Sequence, residues 1–574
     1  MRNKRAVKRI LLTLMAAAAC CSGLFAQDID ALLSGMSRRE KIAQLIIEAI
    51  ESTEAPGVRQ AQERLIREGL GGLIVMDDGL VDNIQLVNEL QALAKIPMLV
   101  SIDGEWGAAM RYYEFAAFPR AMQLGALGDE ALVEQAGRAI GEELRELKIF
   151  VNYAPDVDVN NNPKNPVINT RSFGENRENV ARLGAAFVRG MQGAGVWGSA
   201  KHFPGHGDTD IDSHNSLPVL AFDRSRLDSL ELYPFRRLIE EGVAMVMVGH
   251  LSIPALDNTG TPASISKPII TGLLRNELDF PGIIITDALQ MQGVAEGNAN
   301  AATLAYKAGA DILLMPQDSK QTLDELDAAF RSGELDEADL DARVRRVLEL
   351  KRRSGLLDPG YSPFVDTATL LEKAHRPQTE ELIQTLCDRS MTVVKGKLRH
   401  PLRLRRHMAF TTRPRVAYVA FNAVSPESAA FEAELTKAGR ITRFDLPFDA
   451  TPEQIDSVGA LLLGYRDVIV GFHSGKPKPR TGGPQRFATV DPDKFARIAS
   501  WSKRHRLHGF YLGNPYDLNE LNGYKRFKTF IIGYSDTRFN NIAAARALTR
   551  RRSARGSLPV GAGGLPAGYH SNVL

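Results

Sequence analysis

Short apolar segments rich in Ile and Val recur through the first 320 residues, each separated from the next by a stretch long enough for a helix. Parallel strands covered by helices on both faces read as runs of this kind. The segments are Gly72 to Met76, Pro97 to Ile102, Phe150 to Ala154, Val196 to Ala200, Ala244 to Val248, Gly282 to Thr286 and Asp311 to Met315, with a first member near Leu45 to Ala49. Between them, Asp129 to Leu147, Arg177 to Met191 and Arg226 to Glu240 carry apolar residues at helical spacing. Seven or eight such units over about 300 residues match a (β/α)8 barrel in size, with a doubly wound sheet as the alternative.

A second α/β rhythm follows a break. After Ser362 the pattern loosens through 363–406, which contains the basic run Lys395 to Arg406, and resumes with Val416 to Phe421, Ala460 to Leu463, Val468 to Gly471, Gly509 to Gly513 and Thr529 to Gly533. The reading is α/β throughout: a barrel over 27–362, a linker over 363–406, a smaller sheet domain over 407–560 and a loop-like or disordered tail over 561–574. The 574 residues are 44% apolar and 24% charged, with 49 Gly and 29 Pro. That is ordinary globular composition, which excludes wholesale disorder, collagen and multi-span membrane architectures; the length excludes a lone binding module.

Charge changes the picture in two places. The first 26 residues hold Arg2, Lys4, Arg5, Lys8 and Arg9 with no acid, then the apolar run Ile10 to Ala19 and small residues up to Ala26, the three-part form of a secretory signal. Cleavage near Ala26 leaves 66 Lys and Arg against 68 acids, and Cys387 without a disulfide partner. Lipidation at Cys20 or Cys21 is the alternative. Either way the chain is expected to be exported, periplasmic or envelope-associated, which makes nucleic acid a poor partner; no second apolar run is long enough to span a membrane. Residues 391–574 hold 30 Lys and Arg and 13 acids, against 36 and 55 in 27–390. The basic half attracts an anionic envelope polymer, docks on the acidic half, or is a solvated face.

The strand ends carry the candidate chemistry. They present Asp77 and Asp78, Asp103, Asp156 and Asp158, Lys201 and His202, His250, and Asp287. Any one of these is a loop-capping polar residue; in a barrel, six sets in succession converge on one mouth. The densest stretch, Lys201-His202-Phe203-Pro204-Gly205-His206-Gly207-Asp208-Thr209-Asp210-Ile211-Asp212-Ser213-His214, invites a metal reading. Pairing His202 with His206 on one face needs a helix, which Pro204 and two glycines oppose. It reads instead as a loop after a strand. In extended backbone Asp212 and His214 point the same way, so the carboxylate can hold one imidazole nitrogen while the other exchanges a proton. Asp287 ends the apolar run Ile283-Ile284-Ile285-Thr286 and suits a rigidly held nucleophile. Asp103 with Arg111, and Arg171, supply acceptors and fork-shaped donors for hydroxyl or acyl oxygens.

With these residues in place the chain resembles glycoside hydrolase family 3, specifically its bacterial β-N-acetylglucosaminidase branch. The matching motifs are Ile102-Asp103-Gly104-Glu105 with Arg111; Asn152-Tyr153-Ala154-Pro155 through Asp158, then Asn165-Pro166-Val167 and Arg171-Ser172-Phe173-Gly174; Lys201-His202-Phe203-Pro204-Gly205-His206-Gly207 through Asp212-Ser213-His214; Pro262-Ala263-Ser264 with Ser266; and Ile285-Thr286-Asp287-Ala288-Leu289-Gln290-Met291. They fall in the family's order over residues 100 to 295. Asn514-Pro515-Tyr516-Asp517-Leu518 and Gly556-Ser557-Leu558-Pro559-Val560 resemble the α/β sandwich that often follows the barrel.

The resemblance implies Asp287 as nucleophile, His214 as general acid/base and Asp212 as its partner, with Asp103, Arg111, Arg171, Lys201 and His202 binding N-acetylglucosamine. It implies retaining hydrolysis of β-linked peptidoglycan fragments or related oligosaccharides, without cofactor or metal. Trp106 stands where many relatives have Gly. Four other readings remain: a β-glucosidase of the same family, substrate-assisted hydrolysis at Asp129-Glu130, Asp324-Glu325 or Asp336-Glu337, a Ser-x-x-Lys acylase at Ser264/Lys267 or Ser500/Lys503, and a non-catalytic sugar-binding envelope protein.

Overall fold

The structure is a computed structural model describing residues 28–50, 56–76, 79–213, 216–295, 298–396, 416–474, 490–549 and 554–571. Eight parallel strands form the first unit: β1 Ile46–Ala49, β2 Gly72–Val75, β3 Leu99–Ile102, β4 Val151–Asn152, β5 Trp197–Phe203, β6 Met245–Val248, β7 Ile283–Thr286 and β8 Leu313–Leu314. Their order, β7-β6-β5-β4-β3-β2-β1-β8, follows the chain around a ring. A parallel bridge between Ile285 and Ile312, with Leu289 N–H donating to the Leu314 carbonyl, brings β7 to β8 and closes the barrel. Of the strand residues, Glu48 alone is not buried, as expected where side chains fill the barrel on one face and helices cover the other. β8 is shorter than its apolar run because Asp311 turns its carboxylate to Arg275, Arg346 and the Ile284 N–H.

The second unit is a six-stranded sheet of order β11-β10-β12-β13-β14-β9, made of β9 Thr392–Lys395, β10 Val416–Phe421, β11 Thr442–Leu446, β12 Asp467–His473, β13 Arg506–Leu512 and β14 Thr529–Ile532. Five strands are parallel, and β9 pairs antiparallel with β14. The stretch expected as a linker therefore supplies β9, and before it the helix Pro377–Ser390. Ala460 to Leu463, expected as a strand, ends the helix Pro452–Leu461 and the turn after it. The stronger local signal is the Thr451/Gln454 capping box that starts that helix; Leu461 and Leu463 face solvent. β11, an edge strand of half-exposed Arg443 and Phe444 beside exposed Asp445, has no apolar run to announce it.

One apolar core runs from the barrel into the side of the second sheet beneath the helix Arg538–Thr549. Polar contacts cross the same seam: Gln123 Nε2 donates to Ser390 Oγ (2.9 Å) and to Asn540 Oδ1 (2.7 Å). In the expected tail, Ala562 pairs with Leu565, and Ser571 N–H donates to the Val393 carbonyl beside β9. The signal-like residues 1–26, Asp77, Asp78 and His214 lie outside the described residues. Among the described residues no helix is long and apolar enough to cross a membrane.

Candidate active site

The ends of β3, β4 and β5 meet in a lattice of charges. Asp103 and Glu105 sit on the turn after β3, which Asn152 at the end of β4 pins by accepting from Gly104 N–H (2.9 Å) and donating to the Gly104 carbonyl (3.1 Å). Lys201, in β5 and 2% exposed, reaches Asp103 and Glu105, each at 2.9 Å. A buried lysine is rare without such partners. Arg111 closes on the other oxygen of Asp103 (2.9 Å), and Arg171 forks Glu105 at 2.8 to 3.1 Å. Burial alone would raise the carboxyl of Glu105, but Arg171 and Lys201 outweigh it and hold the group well below the usual range. Asp103 is lowered in the same way, against its burial, by Lys201 and Arg111.

Beneath this lattice stands a pair of acids in different states. Asp158 accepts from His202 Nδ1 (2.8 Å), from His202 N–H and from His206 N–H (2.6 Å); these donors overcome its burial and keep it ionised. Asp156, buried and facing the charge of Asp158, is pushed well above the carboxylate range. Its Oδ2 makes no hydrogen bond and lies 3.7 Å from Arg171. The other ring nitrogen of His202 is 3.3 Å from Arg171. All five sugar-side candidates, Asp103, Arg111, Arg171, Lys201 and His202, thus belong to one connected cluster.

The histidine loop leaves β5 and packs against the loop that follows β4. Gly207 is needed for that approach, since a Cβ there would fall 1.9 Å from the Val159 carbonyl. His206 is buried between Thr209 Oγ1 (3.1 Å) and Ser213 Oγ (3.0 Å), and burial lowers its pKa to about 4, so the ring is neutral. Asp212 is half-buried, and its carbonyl accepts from Ser216 N–H.

Across the mouth, Asp287 follows β7, half-buried, with its N–H donating to the Val248 carbonyl and its Oδ1 accepting from Ala288 N–H (2.8 Å). His250, at the end of β6, spans Ser264 Oγ (2.7 Å) and the Ala288 carbonyl (2.9 Å) and so braces the residue next to Asp287. The backbone of the histidine loop rests on this side: at Gly293, in the short helix Gln292–Ala295, an added Cβ would lie 2.6 Å from the Ser213 carbonyl and 3.2 Å from that of Ser216. The Asp212 segment and the chain following Asp287 therefore touch.

The sequence profile of the glycosyl hydrolase family 3 N-terminal domain matches residues 37–350, more than half of the chain and all of these strand ends. The chain belongs to glycosyl hydrolase family 3. It is 35% identical over 359 residues to β-hexosaminidase A of Pseudoalteromonas piscicida, covering 56% of this chain and 60% of that protein. To a β-N-acetylglucosaminidase/β-glucosidase of Cellulomonas fimi it is 32% identical over 374 residues, 63% of this chain and 65% of the other. The matches thus span less than two thirds of either relative. The structure of a family 3 β-N-acetylglucosaminidase from a Paenibacillus species superimposes with a TM-score of 0.74 at 33% identity, over 92% of this chain and 99% of that one.

Three other chemistries fit this family 3 chain less well. Asp156, Asp158 and His202 offer ligand-type atoms within 4.8 Å of one another, but Asp158 already takes His202 Nδ1, and a cation there would face the Arg171 guanidinium. For an acylase, Ser264 is buried against His250 while Lys267 is exposed, and Ser500 donates to the Arg497 carbonyl. Asp129 and Asp336 cap helices, and Asp324 lies within the helix Ser319–Arg331. Trp106 stacks on the Arg120 guanidinium, 4.0 Å from ring to Cζ. Sequence reasoning placed Asp156 and Asp158 at the mouth and quoted Glu105 and His206 within the matched motifs, but gave none of the four a role in the site. Glu105 was legible from its place two residues after Asp103; the neutrality of His206 depends on burial, for which the sequence carries no signal.

Proposed function

We propose that this chain is a retaining exo-β-N-acetylglucosaminidase, with Asp287 as nucleophile, His214 as general acid/base and Asp212 orienting its ring. The observation that supports the reading is the contact at Gly293, where the Ser213 and Ser216 carbonyls lie against the helix that follows Asp287. In this mechanism the Asp287 carboxylate attacks the anomeric carbon through an oxocarbenium-like state while the imidazole protonates the leaving oxygen; the imidazole then takes a proton from water, which releases the sugar. An imidazole with a reference pKa near 6.5 serves in both directions near neutral pH. Asp103, Arg111, Arg171, Lys201 and His202 are proposed to bind the sugar, their fixed forks and carboxylates meeting hydroxyl and acetamido oxygens.

The proposed substrate is N-acetylglucosamine β-linked in a peptidoglycan fragment or a related oligosaccharide. The names of the relatives support the sugar, and the signal-like first 26 residues support an exported, periplasmic or envelope-associated enzyme, lipidated if Cys20 or Cys21 is retained. An anionic envelope polymer is proposed as partner of the basic half. Fourteen of its 30 Lys and Arg fall in 397–415, 475–489 and 550–553, which hold no acid and lie outside the described residues. The double name of the Cellulomonas relative favours β-glucoside hydrolysis as the second reading. Hydrolysis of para-nitrophenyl β-N-acetylglucosaminide alongside the β-glucoside, with the product anomer followed by NMR, decides between them. Release of β-N-acetylglucosamine first is expected; a faster glucoside or first release of the α-anomer overturns the proposal.

A further inference from the structure

The loop between β4 and the helix Arg177–Gly193 carries Arg171, and apart from the short turn Asn169–Arg171 it has no helix of its own. So long an irregular loop is fixed by what it touches. On the barrel side, Asn165 Nδ2 donates to the His206 and Gly207 carbonyls (2.8 and 3.0 Å), and Ser172 Oγ to the Asp158 carbonyl (2.5 Å). On its outer side it is held by the second domain. Asn514 Nδ2 donates to Asn169 Oδ1 (2.6 Å), and Tyr516 Oη, on a side chain buried to 6% exposure, donates to the Asn160 carbonyl (2.9 Å). The two ends of this grip are themselves joined, because Asn160 Nδ2 donates to the Asn169 carbonyl (3.2 Å). At the end of the loop, Glu175 N–H donates to the Pro559 carbonyl (3.1 Å), and Gly561 N–H to Glu175 Oε2 (2.8 Å).

Asn169 is the pivot. Its φ of +41° lies in the left-handed region, which asparagine tolerates better than most residues but which still needs surrounding contacts to persist. Asn514 grips that side chain two residues before Arg171, and is itself oriented because its Oδ1 caps the turn Pro515–Asn519 by accepting from Tyr516 N–H (3.1 Å). Without the grip the turn can relax, and Arg171, whose fork on Glu105 depends on the backbone beneath it, shifts against a bound sugar.

We propose that Asn514 and Tyr516 are positioning residues by which the second domain sets the sugar affinity of the barrel through Arg171. This rests on the reading of Arg171 as a sugar-binding residue. The test uses the full chain with para-nitrophenyl β-N-acetylglucosaminide, four single variants and one double variant. Asn514→Ala and Tyr516→Phe are each expected to raise KM about tenfold, the equivalent of one neutral hydrogen bond, with kcat within about twofold. Arg171→Lys keeps the charge, loses the fork and raises KM further; adding Asn514→Ala to it should raise KM no more. Asn540→Ala cuts an inter-domain hydrogen bond, to Gln123, in which no loop residue takes part, and should lower the melting temperature without moving KM.

If Arg171→Lys leaves KM unchanged, the reading of Arg171 is wrong and the positioning role falls with it. If Arg171→Lys raises KM while folded Asn514→Ala and Tyr516→Phe do not, the positioning role alone is overturned. An Asn540→Ala effect on KM as large as theirs also overturns it, because general domain docking then accounts for the change. Should Asn514→Ala fail to fold, Tyr516→Phe, which removes a single oxygen, decides the matter by the same KM criterion.

Discussion

On the β3–β5 side of the barrel mouth, Asp103, Glu105, Arg111, Arg171, Lys201, Asp158 and His202 are paired with one another at 2.8 to 3.3 Å. On the β6–β7 side, Asp287 stands on a strand end tied down through its own and its neighbour's backbone, and the histidine loop packs closely on the chain that follows it, at Gly293. The first arrangement is preorganised: its groups are desolvated and paired with one another, so the proposed sugar binding would require little rearrangement. The second keeps a carboxylate on a rigid strand end, to which the proposed mechanism brings its acid/base on a loop. Side chains on the two sides should therefore fail differently, one side in stability and the other in rate.

The largest effect belongs to the rate side. Asp287→Ala removes the proposed nucleophile and should lower kcat on the order of 10⁴-fold or more, with sugar binding by calorimetry nearly intact and the melting temperature unchanged or raised. Substantial residual turnover would remove Asp287 from the mechanism. Lys201→Met is the counterpart. It leaves Asp103 and Glu105 buried with one cation fewer, and urea denaturation should show a loss of roughly 3–5 kcal/mol. If instead Lys201→Met folds as stably as the parent, the lattice is not what holds this side together.

The contrast also marks how far the sequence could be read. Every barrel strand was visible as an apolar run, because burial on both faces leaves no other composition, and the polar residues ending six of the runs pointed to the mouth. The edge strand β11 and the helix at Pro452–Leu461 were not, since a half-exposed strand and a helix ending in Leu461-Leu462-Leu463 reverse the usual patterns. In the site, residue types at strand ends were legible but their states were not: nothing in Ala154-Pro155-Asp156-Val157-Asp158 says that one aspartate is ionised and the other pushed up, because that follows from which one meets His202 and His206. The grip of Asn514 and Tyr516 joins residues more than 340 positions apart, a pairing only the fold could supply.

Acid should loosen the recognition side through His206. Its folded pKa of about 4 lies below the reference of 6.5, so between those values the unfolded chain binds more protons and stability falls as pH falls. The full effect is about 3 kcal/mol, developed as pH drops from about 6.5 to about 4. Glu143, raised to about 8 by burial, acts with the opposite sign, its contribution being lost as pH rises through that value, so the whole-protein curve mixes the two. The informative quantity is the difference between the parent and His206→Gln in urea at pH 7 and pH 4.5. It should shrink at the lower pH; a pH-independent difference would mean that His206 titrates normally.

The smallest effect tests the seam between the two sides. Gly293 has no side chain because the Ser213 carbonyl lies 2.6 Å from where a Cβ would be, so Gly293→Ala must push the backbone of the histidine loop, which has no flexible side-chain end to yield in its place. The cost is of order 1–2 kcal/mol, and it falls on the placement of the loop rather than on the charge lattice. For the natural glycosidic bond kcat should drop about tenfold with KM little changed, since misplacing a proton donor weakens the transition state more than the ground state. Aryl glycosides with good leaving groups, which need less protonation in the first step, should suffer less. Gly272→Ala is the control: it too is a glycine in a helix, but its added Cβ meets nothing nearer than 3.9 Å. If Gly272→Ala and Gly293→Ala behave alike, the contact at Gly293 does not govern where the histidine loop sits, and the two sides of the mouth are coupled through some other part of the chain.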